Sequence, residues 1–121
     1  MLRGLTITNT FTNSLYLDGN SLEIALPANR ACSFSVSIVG LNAGGINPVG
    51  TRCSSFFIRG GARGPGPGTI GAITTENALN ENLVALPFVT VSGGFLHVQV
   101  IGNTSDYIRW TATVQTSEVS N

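Results

Sequence analysis

The sequence predicts an all-β protein: a single antiparallel β-sandwich, jelly-roll-like, with about eight strands and little or no helix. Two observations predict this fold class. Apolar and polar residues alternate along many short segments, which is the period of strands with one buried face. Glycine, asparagine, proline and aspartate separate these segments, as turns do. With 121 residues, the chain has room for one domain, residues 1–121, in which residues 1–13 form an amino-terminal strand or arm.

Most of the predicted strands carry apolar residues at every second position, whereas residues 53–59 are predicted to be a strand without clean alternation. The alternation is clearest at 31–39, where serines fill the positions between the apolar ones. Uncharged serine and threonine at the polar positions are typical of a β surface. The apolar positions are Leu5 and Ile7; Leu15 and Leu17; Leu22, Ile24 and Leu26; Cys32, Phe34, Val36 and Ile38; those within 53–59, 69–74 and 84–91; Leu96, Val98 and Val100; and Ile108, Trp110, Ala112 and Val114.

Turn and proline signals mark the ends of several strands. The run DGN at 18–20 predicts a turn. Pro27 ends the preceding strand, and Pro87 indicates an edge strand or a bulge, because proline has no N–H for the sheet. Residues 76–83 (ENALNENL) are the one helical candidate, with at most two turns. Since asparagine is a poor helix former, a loop with one helical turn is the alternative.

The two cysteines are predicted to be reduced thiols. A hairpin that turns at residues 44–45 would place Cys32 opposite Gly60. It would place Cys53 opposite Val39. The two sulfurs would then lie ~20 Å or more apart, which is beyond the reach of a disulfide.

Residues 95–114 hold the single histidine and the single tryptophan. Interpreted as a hairpin of two strands, this segment points Trp110 into the core and His97 to the opposite face, beside Arg109 and Thr111. A general base needs a nucleophile and an orienting partner, and none is placed beside the histidine. We therefore expect His97 at a solvated or interface position and predict no catalytic residue. A tryptophan that stacks on carbohydrate is the alternative for Trp110, should its row face a groove.

The composition favours a protein that associates with other proteins. Charged residues make up 10%, hydrophobic residues 42%, and the formal net charge is zero. We expect no nucleic-acid partner, because no basic excess is present, and no membrane partner, because no apolar run approaches ~20 residues. The amino terminus lacks the apolar run of a signal peptide, so we expect synthesis in a cytoplasm. A neutral, charge-poor surface promotes association.

The sequence predicts neither a cofactor site nor a metal site. A formal G-x-G-x-x-G occurs at 66–71, but prolines remove N–H donors there and a strand is predicted to follow, so we expect no phosphate-bearing cofactor. One histidine and the cysteine spacing argue against a metal site. The surrounding segment 59–71 (RGGARGPGPGTIG) is predicted to be either an extended arm laid over a neighbour or a surface loop.

Three segments carry a resemblance to a known family. They are ALPANRACSFSVSIVG at 25–40, GTIGAITT at 68–75 and VQVIGNTSDYIRWTATVQTSEV at 98–119. Their order over residues 22–119 resembles the β-sandwich domain at the carboxy end of tailed-phage and prophage virion proteins, especially fibre and appendage proteins. The last 22 residues of this stretch are its most specific part.

The resemblance implies a homotrimer in a virion, made in the host cytoplasm, with the major capsid protein or another virion protein as its further partner. Arginines suit interface ion pairs because of their planar guanidinium, although ordinary surface arginines are the alternative. The interface candidates are Arg59, Arg63, Arg109, Tyr107 and His97. The carboxylates that would pair with the arginines across subunits are Glu76, Glu81 and Asp106.

The main functional hypothesis is a non-enzymatic capsid decoration or cement protein. It would stabilise the head by burying its flat serine and threonine surface and by laying an arm over neighbouring subunits. The alternative is a tail fibre or spike subunit or tip domain, whose Tyr107, Trp110 and His97 would contact a host receptor. A cytoplasmic enzyme is the third hypothesis, which rests on one histidine and two thiols.

Overall fold

A computed structural model describes residues 2–6, 12–15, 24–25, 30–64, 69–71, 73–81, 83, 86–92 and 94–120. Within them the chain forms strands and no helix, so the predicted all-β class is confirmed. The turn at 18–20, Pro27 and the glycine–proline run at 65–68 lie outside the described residues. The ten strands are β1 (Leu2–Thr6), β2 (Thr12–Leu15), β3 (Ile24–Ala25), β4 (Arg30–Gly45), β5 (Cys53–Gly64), β6 (Thr69–Ile70), β7 (Thr74–Asn80), β8 (Leu86–Ser92), β9 (Phe95–Ile101) and β10 (Asp106–Ser120).

The strands form two antiparallel sheets. In the larger sheet, β10 lies between β1 and β4, and β5 pairs with the other side of β4. Strands β6 and β7 both pair with the far side of β5, at different points along its length. In the smaller sheet, β9 is central, with β8 on one side and with β2 and β3 on the other. Buried residues of both sheets form one core between them, which is the arrangement of a β-sandwich.

The core forms because alternate residues of both sheets point inward. Strand β4 is an example, because Phe34 and Val36 are buried whereas Ser33, the residue before Phe34, is exposed. Each large apolar side chain removed from water contributes about 1.5–3 kcal/mol to folding. The buried apolar residues are Cys32, Phe34, Val36, Ile38, Phe56, Ile58, Ala62, Leu83, Val89, Leu96, Val98, Val100, Ile108, Trp110 and Ala112.

Trp110 is a core residue, as predicted, and is only 1% exposed. Its cross-strand partner on β4 is Gly40. A Cβ atom at Gly40 would lie 2.6 Å from Cζ3 of the indole, closer than van der Waals contact allows. The glycine therefore makes the space that the ring fills.

The predicted helix or helical turn at 76–83 is wrong, because most of this segment is strand β7. All seven residues of β7 are exposed, so the strand depends on backbone pairing with β5 and buries no apolar row. In the orientation that suits its neighbours, the Asn77 amide donates to the carbonyl oxygens of Leu79 (2.8 Å) and Ser55 (3.1 Å). A strand without a buried row has no apolar period that a sequence could reveal.

The predicted hairpin of residues 95–114 is also wrong, because β9 and β10 lie in different sheets. Residues 102–105 connect them, and Oδ1 of Asn103 accepts two hydrogen bonds of 2.8 Å from backbone N–H groups at the start of β10. The two apolar rows therefore face each other across the core instead of lying side by side. As a result, His97 and Arg109 lie on opposite outer faces of the sandwich.

The hairpin of β4 and β5 has a register two residues away from the predicted one. Cys32 pairs with Ala62 rather than with a glycine. Cys53 pairs with Leu41. The shift arises because β4 continues through residues 44–45 and the turn follows them. Both thiols are free; they point to opposite faces of the sheet, ~30 Å apart along the strands, so they do not reach each other.

Candidate binding surface

The outer face of the larger sheet carries a shallow groove, which we call the serine groove. Its floor is β4, whose outward residues here are Ser33, Ser35 and Ser37. Strands β10 and β5 lie one strand spacing to either side, so the walls are about 10 Å apart. Serine side chains are short, so the floor lies below the longer side chains of Gln115, Phe57 and Arg59. The groove is open to solvent, and both polar and apolar side chains line it.

The two walls of the serine groove differ in chemistry. The β10 wall consists of Thr113, Gln115 and Ser117, which offer hydroxyl and amide groups. The β5 wall consists of Phe57 and Arg59. The guanidinium carbon of Arg59 lies 4.9 Å from the centroid of the Phe57 ring, within the range of a cation–π contact. Arg59 places a positive charge at the edge of a groove whose other described lining residues are uncharged.

Sequence reasoning missed the serine groove as a site. The available signal was serine at every second position of 33–37, which indicates a polar strand face and nothing more. The serines become a floor only because β4 is central, with Gln115 paired to Ser35 on one side and Arg59 on the other. These partners are far apart in the sequence, and alternation does not identify them.

Four of the five predicted interface residues lie on the outer face of the larger sheet. Arg59 and Arg63 point outward from β5 and are exposed. Tyr107 and Arg109 point outward from β10, near the end where β4 turns into β5, and are also exposed. Of these four, only Arg59 lines the serine groove. The fifth, His97, lies on the outer face of the smaller sheet.

His97 is half-buried among strand neighbours. Its Nε2 atom lies 3.4 Å from the carbonyl oxygen of Ser92. Its ring meets Phe95 edge-on, with the centroids 6.4 Å apart and the planes at 61°. Arg109 and Thr111, which were predicted to share its face, lie on the other sheet. The structure therefore does not bring His97 together with the other interface candidates.

The carboxylates predicted to pair with the arginines have different environments. Asp106 is 1% exposed, and its carboxylate accepts hydrogen bonds from the side-chain amides of Asn47 (2.9 Å) and Asn103 (3.3 Å). It belongs to an internal network, so its predicted role in an ion pair between subunits is wrong. Glu76 and Glu81 are exposed on the β7 side of the larger sheet.

Two other predicted features take structural roles. Residues 59–64 of the predicted arm or loop belong to β5, where they pair with β4. The buried indole of Trp110 is inaccessible to a carbohydrate, which excludes the stacking alternative. Within the described part of the chain, no three histidine, cysteine, aspartate or glutamate side chains lie together as a metal ion would require.

Both cysteines favour the protonated thiol. Burial raises the pKa of Cys32, the nearby Glu118 carboxylate raises it further, and a backbone hydrogen bond at Ala62 opposes the rise. Partial burial raises the pKa of Cys53, and Glu81 raises it further through its charge and a hydrogen bond. Because the pKa of each thiol is raised in the folded state, its contribution to the free energy of unfolding is fully present at pH values below the ordinary thiol pKa. This contribution is lost as the pH rises from the ordinary thiol pKa through the raised one.

Replacing Glu81 with glutamine is expected to speed the alkylation of Cys53 at a fixed pH near 8. The reason is that removing the carboxylate lowers the pKa of Cys53 and increases its thiolate fraction, which is the reactive form. Mass-spectrometric timing of iodoacetamide labelling at each cysteine measures the effect. Glu76→Gln, on the same edge of the sheet, is the matched control and should leave the rate unchanged. Equal rates for Glu81→Gln and the unmodified chain would contradict the prediction.

Comparison with known proteins identifies similarity to solved structures. No protein-family model matches the chain, and no curated protein does. The solved structure of the Acinetobacter baumannii phage AM24 tailspike protein is similar to the chain at 10% sequence identity with a TM-score of 0.47. The similarity covers 98% of this chain and 26% of the tailspike chain, so this chain spans about a quarter of that protein's length.

Proposed function

We propose that the chain is a non-enzymatic structural protein of a phage particle, of the tail fibre or spike class, that binds a host-surface polysaccharide. The observation that supports this function is the serine groove. Its floor and one wall present a continuous set of hydroxyl and amide groups, and its other wall carries the guanidinium of Arg59 over Phe57. Repeated hydroxyl groups along an extended ligand would match repeated hydrogen-bonding groups along a strand.

The charge of the groove refines the class of polysaccharide. Arg59 is exposed and contacts the Phe57 ring, and such a contact contributes about 0.5–1 kcal/mol at an exposed site, which favours a guanidinium position at the edge of the groove. A guanidinium forms paired hydrogen bonds with a carboxylate, and such bonds are about twice as strong as neutral ones. A polysaccharide that contains acidic sugars therefore suits the groove better than a neutral one.

The sequence pattern of residues 98–119 supports a virion protein of the appendage type. The strand assignments also favour an appendage over a capsid cement. A cement role was expected to use an amino-terminal arm or the segment 59–71 as an arm over neighbouring subunits. Residues 2–6 and 59–64 are instead paired within the larger sheet, which leaves less chain for such arms.

Capsid decoration is the second candidate function. It is favoured by the exposed apolar side chains, such as Val39 and Leu41, at one end of the outer face of the larger sheet. Such a face buries well against another virion protein. Quantitative denaturing gels of purified particles separate the two candidates. A copy number that matches the capsid lattice favours decoration, and one that matches the tail favours an appendage.

The binding function is tested by applying the labelled full chain to an array of purified bacterial surface polysaccharides. We expect binding to acidic members of the array. Ser35→Trp fills the floor of the serine groove and should weaken this binding by about tenfold or more, a loss of ~1.4 kcal/mol. Ser92→Trp, at an exposed serine on the smaller sheet, is the matched control and should bind as the unmodified chain does. Absence of binding, or equal binding by both variants, would overturn the proposal.

A further inference from the structure

The outward row of β5 contains a glycine, Gly61, that the strand itself does not require. Its neighbours on that row are Arg59 and Arg63, both of which are exposed. Glycine weakens the interior of a strand, and there it usually marks a β-bulge or a place that a ligand or another backbone approaches closely. Each of these explanations can be compared with the geometry at Gly61.

Neither a bulge nor the backbone conformation explains Gly61. It pairs with Ser33 in an unbroken register between β4 and β5, so no bulge lies there. Its φ lies outside the left-handed region that favours glycine. The N–H of Gly71 donates to its carbonyl oxygen (2.7 Å), but a residue of any type at position 61 would offer the same oxygen. The close approach of a ligand is the explanation that remains.

The space above Gly61 is open on the outer face of the sheet. A Cβ atom added there would meet one atom of the described residues within 4 Å, the carbonyl oxygen of Cys32 at 3.6 Å, which is ordinary van der Waals contact. Ser33, at the end of the serine groove, is the cross-strand partner of Gly61. The groove therefore opens sideways over Gly61, and we call this opening, between Arg59 and Arg63, the glycine gap.

Two positive charges flank the glycine gap. Arg59 and Arg63 are four residues apart on one strand, so their Cα atoms lie ~13 Å apart. Glu76 pairs with Phe57, which places its Cα on the side of Arg59 away from the gap. The residues that pair with the two arginines across the sheet are uncharged; they are Ser35, Thr74, Ala31 and Thr69. The gap thus suits a ligand with negative charges at two points.

We propose that the glycine gap extends the polysaccharide site and binds two acidic groups of one polysaccharide chain. One carboxylate binds the guanidinium of Arg59, a second binds that of Arg63, and the sugar between them lies over Gly61. This inference rests on the proposed function. It adds a requirement on the ligand, which must carry two carboxylates separated by ~13 Å along its length.

Two charges on one strand select a polymer over a single acidic sugar. Once the first carboxylate of a polymer is bound, the second is held near the other guanidinium, so its binding becomes an intramolecular event. A single sugar reaches one guanidinium and gains no such advantage. Bonds between a guanidinium and a carboxylate are about twice as strong as neutral hydrogen bonds. The affinity should therefore depend on the length of the acidic chain.

Calorimetric titration with polygalacturonate fragments of graded length tests this dependence. Every sugar of this polymer carries a carboxylate, so a fragment that is long enough contains a pair at the required separation. We expect the affinity of the full chain to rise at least about tenfold once fragments exceed ~13 Å in length. An affinity that does not change between short and long fragments would overturn the inference.

Arg63→Gln tests the second charge. It should abolish the rise in affinity with length and weaken binding of the long fragments about tenfold, because one of the two contacts is lost. Arg109→Gln is the matched control, because it removes the same charge from an exposed arginine of the same outer face away from the glycine gap. Equal losses in the two variants would indicate a general effect of charge and would contradict the inference.

Gly61→Ile tests the gap itself. A β-branched side chain is stiff and would fill the space over the strand, so binding of the long fragments should weaken about tenfold. The melting temperature should stay the same or rise, because isoleucine suits a strand better than glycine. Ser55→Ile, on the same row of β5 but outside the glycine gap, is the matched control and should bind as the unmodified chain does. A lower melting temperature for Gly61→Ile would instead assign the glycine a structural role and overturn the inference.

The polysaccharide array separates this inference from the proposed function. If the unmodified chain binds acidic polysaccharides but Arg63→Gln and Gly61→Ile bind them equally well, the inference fails and the proposed function stands. If the unmodified chain binds no polysaccharide of the array, both fail.

Discussion

Replacing Trp110 with alanine is expected to lower the free energy of unfolding by about 3–5 kcal/mol. The indole is the largest fully buried side chain of the described residues. Its cross-strand neighbour is Gly40, which has no side chain to move into the vacated space. An alanine opposite a glycine leaves a cavity in the middle of the core. Denaturant unfolding followed by far-UV circular dichroism measures the loss, since the variant has no tryptophan fluorescence.

Two variants serve as controls for the tryptophan substitution. Thr111→Ala changes the exposed next residue of the same strand and should alter stability by no more than about 0.5 kcal/mol. Gly40→Ala adds a methyl group against the indole and should cost about 1–3 kcal/mol through overpacking. A Trp110→Ala protein as stable as Thr111→Ala would show that the indole does not fill the core.

Replacing Asn42 with alanine should cost about 1–3 kcal/mol of stability. Asn42 is fully buried, and it supplies both a donor and an acceptor to the turn between β4 and β5. Its loss leaves the N–H of Arg52 without the Oδ1 acceptor and the carbonyl of Pro48 without the Nδ2 donor. Denaturant unfolding measures the cost, and hydrogen exchange at residues 46–52 should show that the turn opens first.

Asn42→Asp separates hydrogen bonding from side-chain volume. Aspartate matches asparagine in size but places an acceptor against the carbonyl oxygen of Pro48, so it should destabilise the turn as well. Asn80→Ala, at an exposed position of β7, removes the same side chain from the surface and should change stability little. Should Asn42→Asp prove as stable as the original chain, the amide hydrogen bond to the turn would have no part in holding it.

Alternation predicts which residues point inward, and it does so well where a strand has one buried face. The rows of β9 and β10 were found in this way, and Trp110 was placed correctly in the core. Alternation does not predict which strands pair. The apolar row of a strand has the same sequence pattern whether it faces another row across the core or lies beside one in the same sheet. For this reason β9 and β10 were paired wrongly. Strand β7 was not predicted, because it has no row of buried apolar residues.

The candidate site was predictable only in part for the same reason. Arg59 was selected as an interface residue from its chemistry, since arginine suits ion pairs. The serines beside it were predicted only to form a flat polar surface, because an exposed serine has no distinctive chemistry alone. Their arrangement into a floor depends on the position of β4 between β10 and β5. The predicted role of Asp106 was wrong for a related reason, because its amide partner Asn47 is remote in the sequence.

The position of β10 between β1 and β4 has a consequence for synthesis of the chain. A ribosome makes residues 106–120 after every other described strand, so until they emerge the nascent larger sheet exists as two unjoined pieces. Each piece presents an unpaired edge, and such edges recruit strands from other chains. Pairing of remote segments is also slow. Nascent chains on neighbouring ribosomes of one messenger RNA would thus be prone to pair their strands with one another. Chaperones that bind unfolded chains should therefore raise the yield of soluble protein.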